Sequence, residues 1–275
     1  MSTDNPNLES NFRIGEYRVL RHVAQGGTGA VYRVEDPQTG EHYAMKLAAV
    51  EGSEDKRFTQ IHEVLRTLNH PGVVQSIRCG QTEDGRTFHL LPFVGGMPAQ
   101  VFAKSIGVPG TPDRTTAVIT VAIHLADALA YLHEHDVIHR DVKSANVIVR
   151  DDKSACLIDF GSAIMPGIPA EPGRFVGTYT YASPEQIQGH PVDGRTDIYA
   201  MGILLYRMLT GQRPFRAEDK NILVDQHLYE IPVSVDQCVN DVPSDVVTLI
   251  DRMLQKNPRD RPQTGRDVAA MLRQA

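Results

Sequence analysis

The feature that most constrains this chain is a change in the period of its apolar residues at Gly95-Gly96. Before that pair, apolar positions come in short, strand-like runs such as Tyr17-x-Val19 and Val31 to Val34, divided by turn formers. After it they recur every three or four positions over long stretches. A period of two lines one face of a strand, whereas a period near 3.6 makes a stripe on a helix. The spacing therefore predicts an α+β protein: a small β-rich unit over 17–95, then a larger helical unit over 96–275. Residues 1–16 are polar and aperiodic and read as a flexible leader.

Within the first unit, Asp36-Pro37-Gln38-Thr39-Gly40 is a hairpin turn into a strand over His42–Leu47. A helical stretch then runs to His70, where Pro71-Gly72 ends it, and further strands are expected near Val73–Cys79 and Thr87–Val94. In the second unit, Thr111 with Pro112 reads as an N-cap followed by proline at the first helical position. The helix it opens carries Val118, Val121, Ile123, Leu125, Leu129 and Leu132. Another spans Ile198–Leu209 and closes on Thr210-Gly211. Val246, Leu249, Ile250, Met253 and Leu254 make an amphipathic helix, and Thr264 with Asp267 gives a capping-box start to the last one.

Composition removes several classes of function. A net charge of −6 offers no bulk attraction to nucleic acid or to an anionic membrane. The longest run without Asp, Glu, Lys or Arg, Thr87 to Ala103, has 17 residues and is broken by Pro92, Gly95, Gly96 and Pro98. That falls short of the ~20 apolar residues a membrane-spanning helix needs. The opening MSTDNPNLES has neither the basic nor the apolar region of a secretory signal. Cys79, Cys156 and Cys238 are widely spaced with no CxxC, the pattern of reduced cytosolic thiols rather than a disulfide frame or metal site. A cytoplasmic protein with no nucleic-acid or membrane partner is expected. With no sensor domain or membrane helix after Leu272, the chain is either free-standing or a piece of something larger.

The chemistry concentrates in a few strings. A glycine loop between two strands lets backbone amides approach phosphates, because no Cβ blocks them. Gly26-x-x-Gly29 alone is a weak signal, since hairpin glycines usually serve only the turn. Lys46, on the strand next but one, strengthens it, for a lysine there can meet nucleotide phosphates. The decisive string is His139-Arg140-Asp141-Val142-Lys143-Ser144-Ala145-Asn146, and eighteen residues past Asp141 comes Asp159-Phe160-Gly161. Gly177-Thr178-Tyr179-Thr180-Tyr181-Ala182-Ser183-Pro184-Glu185-Gln186, then Asp197-Ile198-Tyr199-Ala200-Met201-Gly202, and finally Arg261 in Asn257-Pro258-Arg259-Asp260-Arg261-Pro262, come in order after it.

These strings together resemble the Hanks-type bacterial serine/threonine protein kinases, over Tyr17 to about Leu272. The resemblance implies the bilobal kinase fold, with one main helix in a small β-rich N-lobe and a larger α-helical C-lobe. It implies transfer of the γ-phosphoryl of Mg-ATP (with Mn²⁺ as an alternative metal) to Ser/Thr hydroxyls of protein substrates, the kinase itself included. By resemblance Asp141 would orient the substrate hydroxyl and take its proton. Lys143 would meet the γ-phosphate, with Thr178 as its hydrogen-bond partner, and Asn146 and Asp159 would hold the metal. Val23, Ala24, Gln25, Gly26, Gly27, Thr28, Gly29 and Ala30 would cover the nucleotide phosphates, which Lys46 would pair. Val31, Ala44 and Ile148 would sandwich adenine, and Leu91 through Val94, with Phe93, would form the hinge. Small-molecule phosphotransferases share an HxDxxxxN-like core but generally lack the Ser-Pro-Glu motif and its arginine, both present here as Glu185 and Arg261. A homodimer through the N-lobe, or a regulatory partner, is a further possibility the resemblance carries.

The sequence also departs from that pattern. Ala24 stands where the first loop glycine is usual. Two rulers, nine residues back from His70 and three forward from Phe58, both place Ile61 where the family has the glutamate that pairs with the strand lysine. Glu63 is about 200° further round a helix. Between Gly161 and Gly177 the only hydroxyl is Ser162, so the usual phosphorylated threonines are missing, and Glu171 is the candidate built-in charge for Arg140. Ala145 removes one contact expected of arginine-directed kinases. From these departures comes the rival reading, a pseudokinase or scaffold that binds nucleotide or partners with little phosphotransfer.

Overall fold

A computed structural model describes residues 12–26, 29–49, 55–168, 173 and 175–275. The chain divides into two compact units. One comprises residues up to Asn69 together with Val74–Val94; the other comprises His70–Val73 together with Gly95–Ala275.

The first unit is an antiparallel sheet with one helix. Its strands are β1 (Arg13–Ile14), β2 (Tyr17–Gly26), β3 (Gly29–Glu35), β4 (His42–Ala48), β5 (Arg78–Gln81) and β6 (Thr87–Pro92), in the order β1-β2-β3-β4-β6-β5. Helix α1 (Asp55–Leu65) lies between β4 and β5 in sequence. Strand alternation sorts the side chains of β6 onto two faces. Phe88 and Leu90 join Ile14, Tyr17, Val19, Val34, Met45 and Leu47 in an apolar core, each fully buried aliphatic contributing about 2 kcal/mol. His89 points to the other face, where its ring meets Phe58 of α1 edge-on, 6.4 Å between centroids. At the β2–β3 turn Gly29 has φ +141°, and a Cβ there would sit 1.9 Å from the Leu47 carbonyl oxygen. Only glycine fits so close to β4.

The second unit is helical around a small sheet of β7 (Met97–Pro98), β8 (Val147–Val149) and β9 (Ala155–Leu157). Its helices are α2 (Ala99–Ser105), α3 (Pro112–Glu134), α4 (Pro184–Ile187), α5 (Gly194–Thr210), α6 (Lys220–Tyr229), α7 (Ser244–Met253) and α8 (Gly265–Gln274). Helix α5 runs through the core with nearly every residue from Thr196 to Thr210 buried. Asp193 caps its start by accepting the Arg195 amide, and Gly211, at φ +76°, closes its end by donating to the Arg207 carbonyl. Helix α3 is long and apolar enough to cross a membrane, but most of that stretch is buried inside the protein. Thr264 and Asp267 form the expected capping box.

The α+β class and the single main helix beside the sheet agree with the sequence reading. Three local expectations change. The strand expected over Val73–Cys79 is instead Arg78–Gln81, with Val73 making only an isolated bridge to Leu157. Val73 and Val74 are apolar because they are buried, not because they belong to the ladder. Thr111 occupies the N-cap position of α3, but its hydroxyl donates to the Val108 carbonyl instead of capping the helix. Helices α2 and α6 arise where no periodicity was read.

Candidate active site

The C-lobe unit gathers three polar side chains around one carboxylate. Asp141 follows a tight turn in which Arg140 takes φ +63°, and it is 8% exposed. Its Oδ2 accepts from Lys143 Nζ at 2.6 Å and its Oδ1 from the Thr178 hydroxyl at 2.7 Å. Lys143 Nζ also donates to Thr178 Oγ1 at 2.9 Å, closing a triangle. Asn146 Nδ2 donates to the Asp141 carbonyl at 2.9 Å and to its Oδ2 at 3.1 Å. Committing the amide nitrogen in this way turns the amide oxygen to the opposite side. Asp159, at φ +60°, accepts the Gly161 amide on its carboxylate; a short polar side chain tolerates that left-handed backbone. Asn146 and Asp159 thus offer hard oxygen donors of the kind Mg²⁺ takes alongside phosphate oxygens. Among the described residues no three His, Cys, Asp or Glu side chains form a metal site on their own.

Buried groups hold this loop in place. His139 accepts the Asp141 amide at Nδ1 (3.3 Å) and faces the Ile158 carbonyl with Nε2 (3.1 Å). The fully buried Asp197 on α5 accepts from the His139 and Arg140 amides at 2.9 and 2.8 Å and from His133 Nε2 at 2.9 Å. Burial alone would push the Asp197 carboxyl up, but the hydrogen bonds and charges of His133 and His139 outweigh it and hold it below the usual aspartate value. Gln186 Nε2 donates to the Arg140 carbonyl at 2.9 Å and to the Val176 carbonyl at 3.2 Å, tying the segment before α4 to the same loop.

A second anchor lies behind it. Arg261, 1% exposed, grips Glu185 with two bonds of 2.8 and 2.9 Å. Its remaining donors go to the carbonyls of Gln255, Arg195 and Lys256. Glu185 also accepts the Thr196 hydroxyl at 2.8 Å. The Glu185 carboxyl is raised by burial yet lowered more by Arg261 and Thr196, so it stays ionised. Arg140 Nε donates to the Ser162 carbonyl at 2.6 Å; Glu171, its expected charge partner, lies outside the described residues.

The other sequence-read positions lie mostly in the first unit. Val23, Ala24, Gln25 and Gly26 end β2, and Gly29, Ala30 and Val31 begin β3; Gly27 and Thr28 between them lie outside the described residues. Val31 pairs with Lys46, and Ala44 with Leu91. Phe93, just past β6, stacks under the Arg33 guanidinium at 4.4 Å. Ile148 lies on β8 of the second unit. Lys46 Nζ is 6.0 Å from the centre of the Phe58 ring. Ile61 is 5% exposed, while Glu63 lies on the outer side of α1 with an ion pair to Arg66 at 2.7 Å.

The protein kinase domain family matches residues 17–272. The chain belongs to that family. Among curated relatives, the DNA damage-responsive serine/threonine-protein kinase RqkA of Deinococcus radiodurans is 33% identical over 262 residues, 93% of this chain and 39% of that protein. Serine/threonine-protein kinase PknH of Mycobacterium tuberculosis is 33% identical over 268 residues, 95% of this chain and 42% of the relative. PknF of the same species is 31% identical over 268 residues, covering 93% and 55%. This kinase chain therefore spans about two-fifths to a half of the length of these relatives.

The structure adds kinase residues that sequence reading passed over. His133 joins Asp197 across 64 positions, and Gln186 reaches Arg140 across 46. No linear spacing signals either. Ser183 did carry a signal: with Gln186 three residues on, it forms a capping box for α4.

Proposed function

We propose that this chain is a serine/threonine protein kinase that transfers the γ-phosphoryl of ATP, with Mg²⁺ (Mn²⁺ as a substitute), to Ser/Thr hydroxyls of proteins, its own included. The observation that carries this reading is the triangle of Asp141, Lys143 and Thr178, with Asn146 bonded to the same carboxylate. Phosphoryl transfer asks a protein for positioning and charge neutralisation more than for a strong base. Asp141 orients the acceptor hydroxyl and takes its proton. Lys143, already bonded to Asp141 and Thr178, supplies positive charge for the transferred phosphoryl group. Asn146 and Asp159 hold the metal, which when bound neutralises phosphate charge.

On the nucleotide side, the glycine-rich end of β2 and start of β3 cover the phosphates and Lys46 pairs with them. Val31, Ala44 and Ile148 contact adenine, and Leu91 and Phe93 belong to the hinge. Protein substrates are the partner class; a regulatory partner or a second copy engaging the N-lobe is the further partner we propose. The cytoplasm is the proposed setting, and three cysteines with no disulfide among them suit it.

The test is transfer from labelled ATP to the protein itself and to a generic protein substrate. Asp141→Asn keeps the size and one accepting oxygen but removes the charge and base, so incorporation should fall by about 10²–10⁴-fold. Equal incorporation by the variant would sink the proposed role.

A further inference from the structure

The side of the sheet that faces α1 carries a buried polar bridge that the reaction scheme above does not use. Ser76 Oγ lies 2.6 Å from His62 Nδ1 and 2.5 Å from His89 Nε2. Ser76 and His89 are 6% and 4% exposed. His62 is on α1, His89 on β6, and Ser76 in the segment leading into β5, so three separate pieces of chain meet at one hydroxyl. His89 pairs across the ladder with Lys46, and cross-strand partners share a face. The two imidazoles are edge-on to each other at 6.0 Å, and Phe58 of α1 stands edge-on to His89.

A serine hydroxyl has one proton to give and lone pairs to receive with. At most one ring nitrogen can therefore accept from Ser76, so at least one of them donates to it. The tautomer of His62 is thereby tied to that of His89, and both rings are fixed in rotation. This arrangement is directional in a way that apolar packing is not: sliding or rolling α1 breaks a buried hydrogen bond and leaves its partners unsatisfied. On the same helix Ile61 is packed inward, and Glu63 pairs with Arg66 on the outside.

We propose that His62, Ser76 and His89 form a positioning bracket that fixes the rotation of α1 on the sheet beside Lys46, doing here what a carboxylate at position 61 would otherwise do. The consequence for nucleotide rests on the kinase reading; the bracket itself does not. His62, Ser76 and His89 are positioning residues, acting through α1 and Lys46.

The experiment compares the full chain with Ser76→Ala, His62→Leu and His62→Asn. Asparagine returns a hydrogen-bonding atom near the place of Nδ1, and leucine does not. Two readouts are taken: amide hydrogen exchange along the chain, and KM for ATP beside kcat. In Ser76→Ala and His62→Leu, the α1 amides should exchange about five- to tenfold faster, the equivalent of one net hydrogen bond. Exchange in α3 and α5 should stay unchanged. KM for ATP should rise several-fold with kcat nearly constant, and His62→Asn should restore both. A merely structural role would lower the active fraction, and so apparent kcat, with KM unmoved. Unchanged α1 exchange, a uniform rise over both units, an unmoved KM, or an asparagine variant as impaired as leucine would each overturn the bracket. If the wild type transfers no phosphate, the kinase reading falls, and the exchange pattern alone decides the bracket.

Discussion

At the scale of single residues, the arrangement around Asp141 separates charge from geometry. Both carboxylate oxygens are occupied, Oδ1 by the Thr178 hydroxyl and Oδ2 by Lys143 and Asn146. Thr178 is an uncharged member, and the one that bonds both Asp141 and Lys143. Thr178→Val keeps the shape and deletes only the hydroxyl. A hydrogen bond to a charged group contributes roughly 1.5–3 kcal/mol, so kcat should fall about ten- to hundredfold. KM for ATP should change less than kcat, because the lost bonds act on Asp141 and on Lys143 at the transferred phosphoryl group, away from the residues proposed to contact adenine and the hinge. Steady-state kinetics on one protein substrate checks this, and a KM change larger than the kcat change would contradict it. The members of this cluster could be read from the chain because Asp141, Lys143 and Asn146 fall within six positions. Sequence could not show that Lys143 and Thr178 share the same carboxylate, since 35 positions separate them. The bracket of His62, Ser76 and His89 was hidden for the same reason: a lone histidine on a helix or strand signals nothing until the fold brings two of them to one hydroxyl.

At the scale of elements, periodicity carried the long helices and failed where burial and regular structure part company. Helices α3, α5 and α7 have enough turns for a stripe to declare itself. Helix α2 is short, with only Ala99, Gln100 and Ala103 buried, and α6 has only Leu223 and His227 buried, too few in either for a stripe. Val73 and Val74 show the converse, buried apolar residues outside any ladder. The link between α4 and the loop before α8 is carried by Glu185 and Arg261, a pair enclosed by protein. Removing one member strands the other as an uncompensated charge, which costs about 3–5 kcal/mol, whereas replacing both is far milder. Arg261→Met should therefore lower stability by that amount, and Glu185→Gln combined with Arg261→Met should recover a substantial part. Chemical denaturation of the two single variants and the double variant checks it, and strictly additive losses would show that the pair is not coupled.

At the scale of the whole molecule, acid sensitivity is distributed unequally between the two units. Two buried carboxylates, Asp197 and Glu185, belong to the C-lobe unit, and so does the fully buried His227, whose Nδ1 lies 3.0 Å from the Tyr199 hydroxyl. Among the described residues the first unit buries no Asp or Glu. Burial, reinforced by the charge of Lys256, pushes His227 down to about 3 from the ordinary 6.5. A histidine held neutral in the fold binds its proton more readily in the unfolded chain, so its contribution is complete above about pH 6.5 and shrinks as pH falls toward 3. The two carboxyls are lowered in the fold, so the stability they add is present above their ordinary unfolded values. It is lost as pH drops through the lowered ones. All three act in the same direction and on the same unit. Between pH 6.5 and 4.5 the histidine should dominate, and below 4.5 the carboxyls should join it. Hydrogen exchange measured over this range, corrected for the intrinsic pH dependence, should show protection in α3 and α5 falling while the β3–β4 ladder holds. His227→Asn, which keeps a partner for Tyr199 but does not titrate, should flatten the loss between pH 6.5 and 4.5 and leave the steeper fall below it. Parallel loss in both units, or a variant with the wild-type slope in the upper range, would place the acid-labile groups elsewhere.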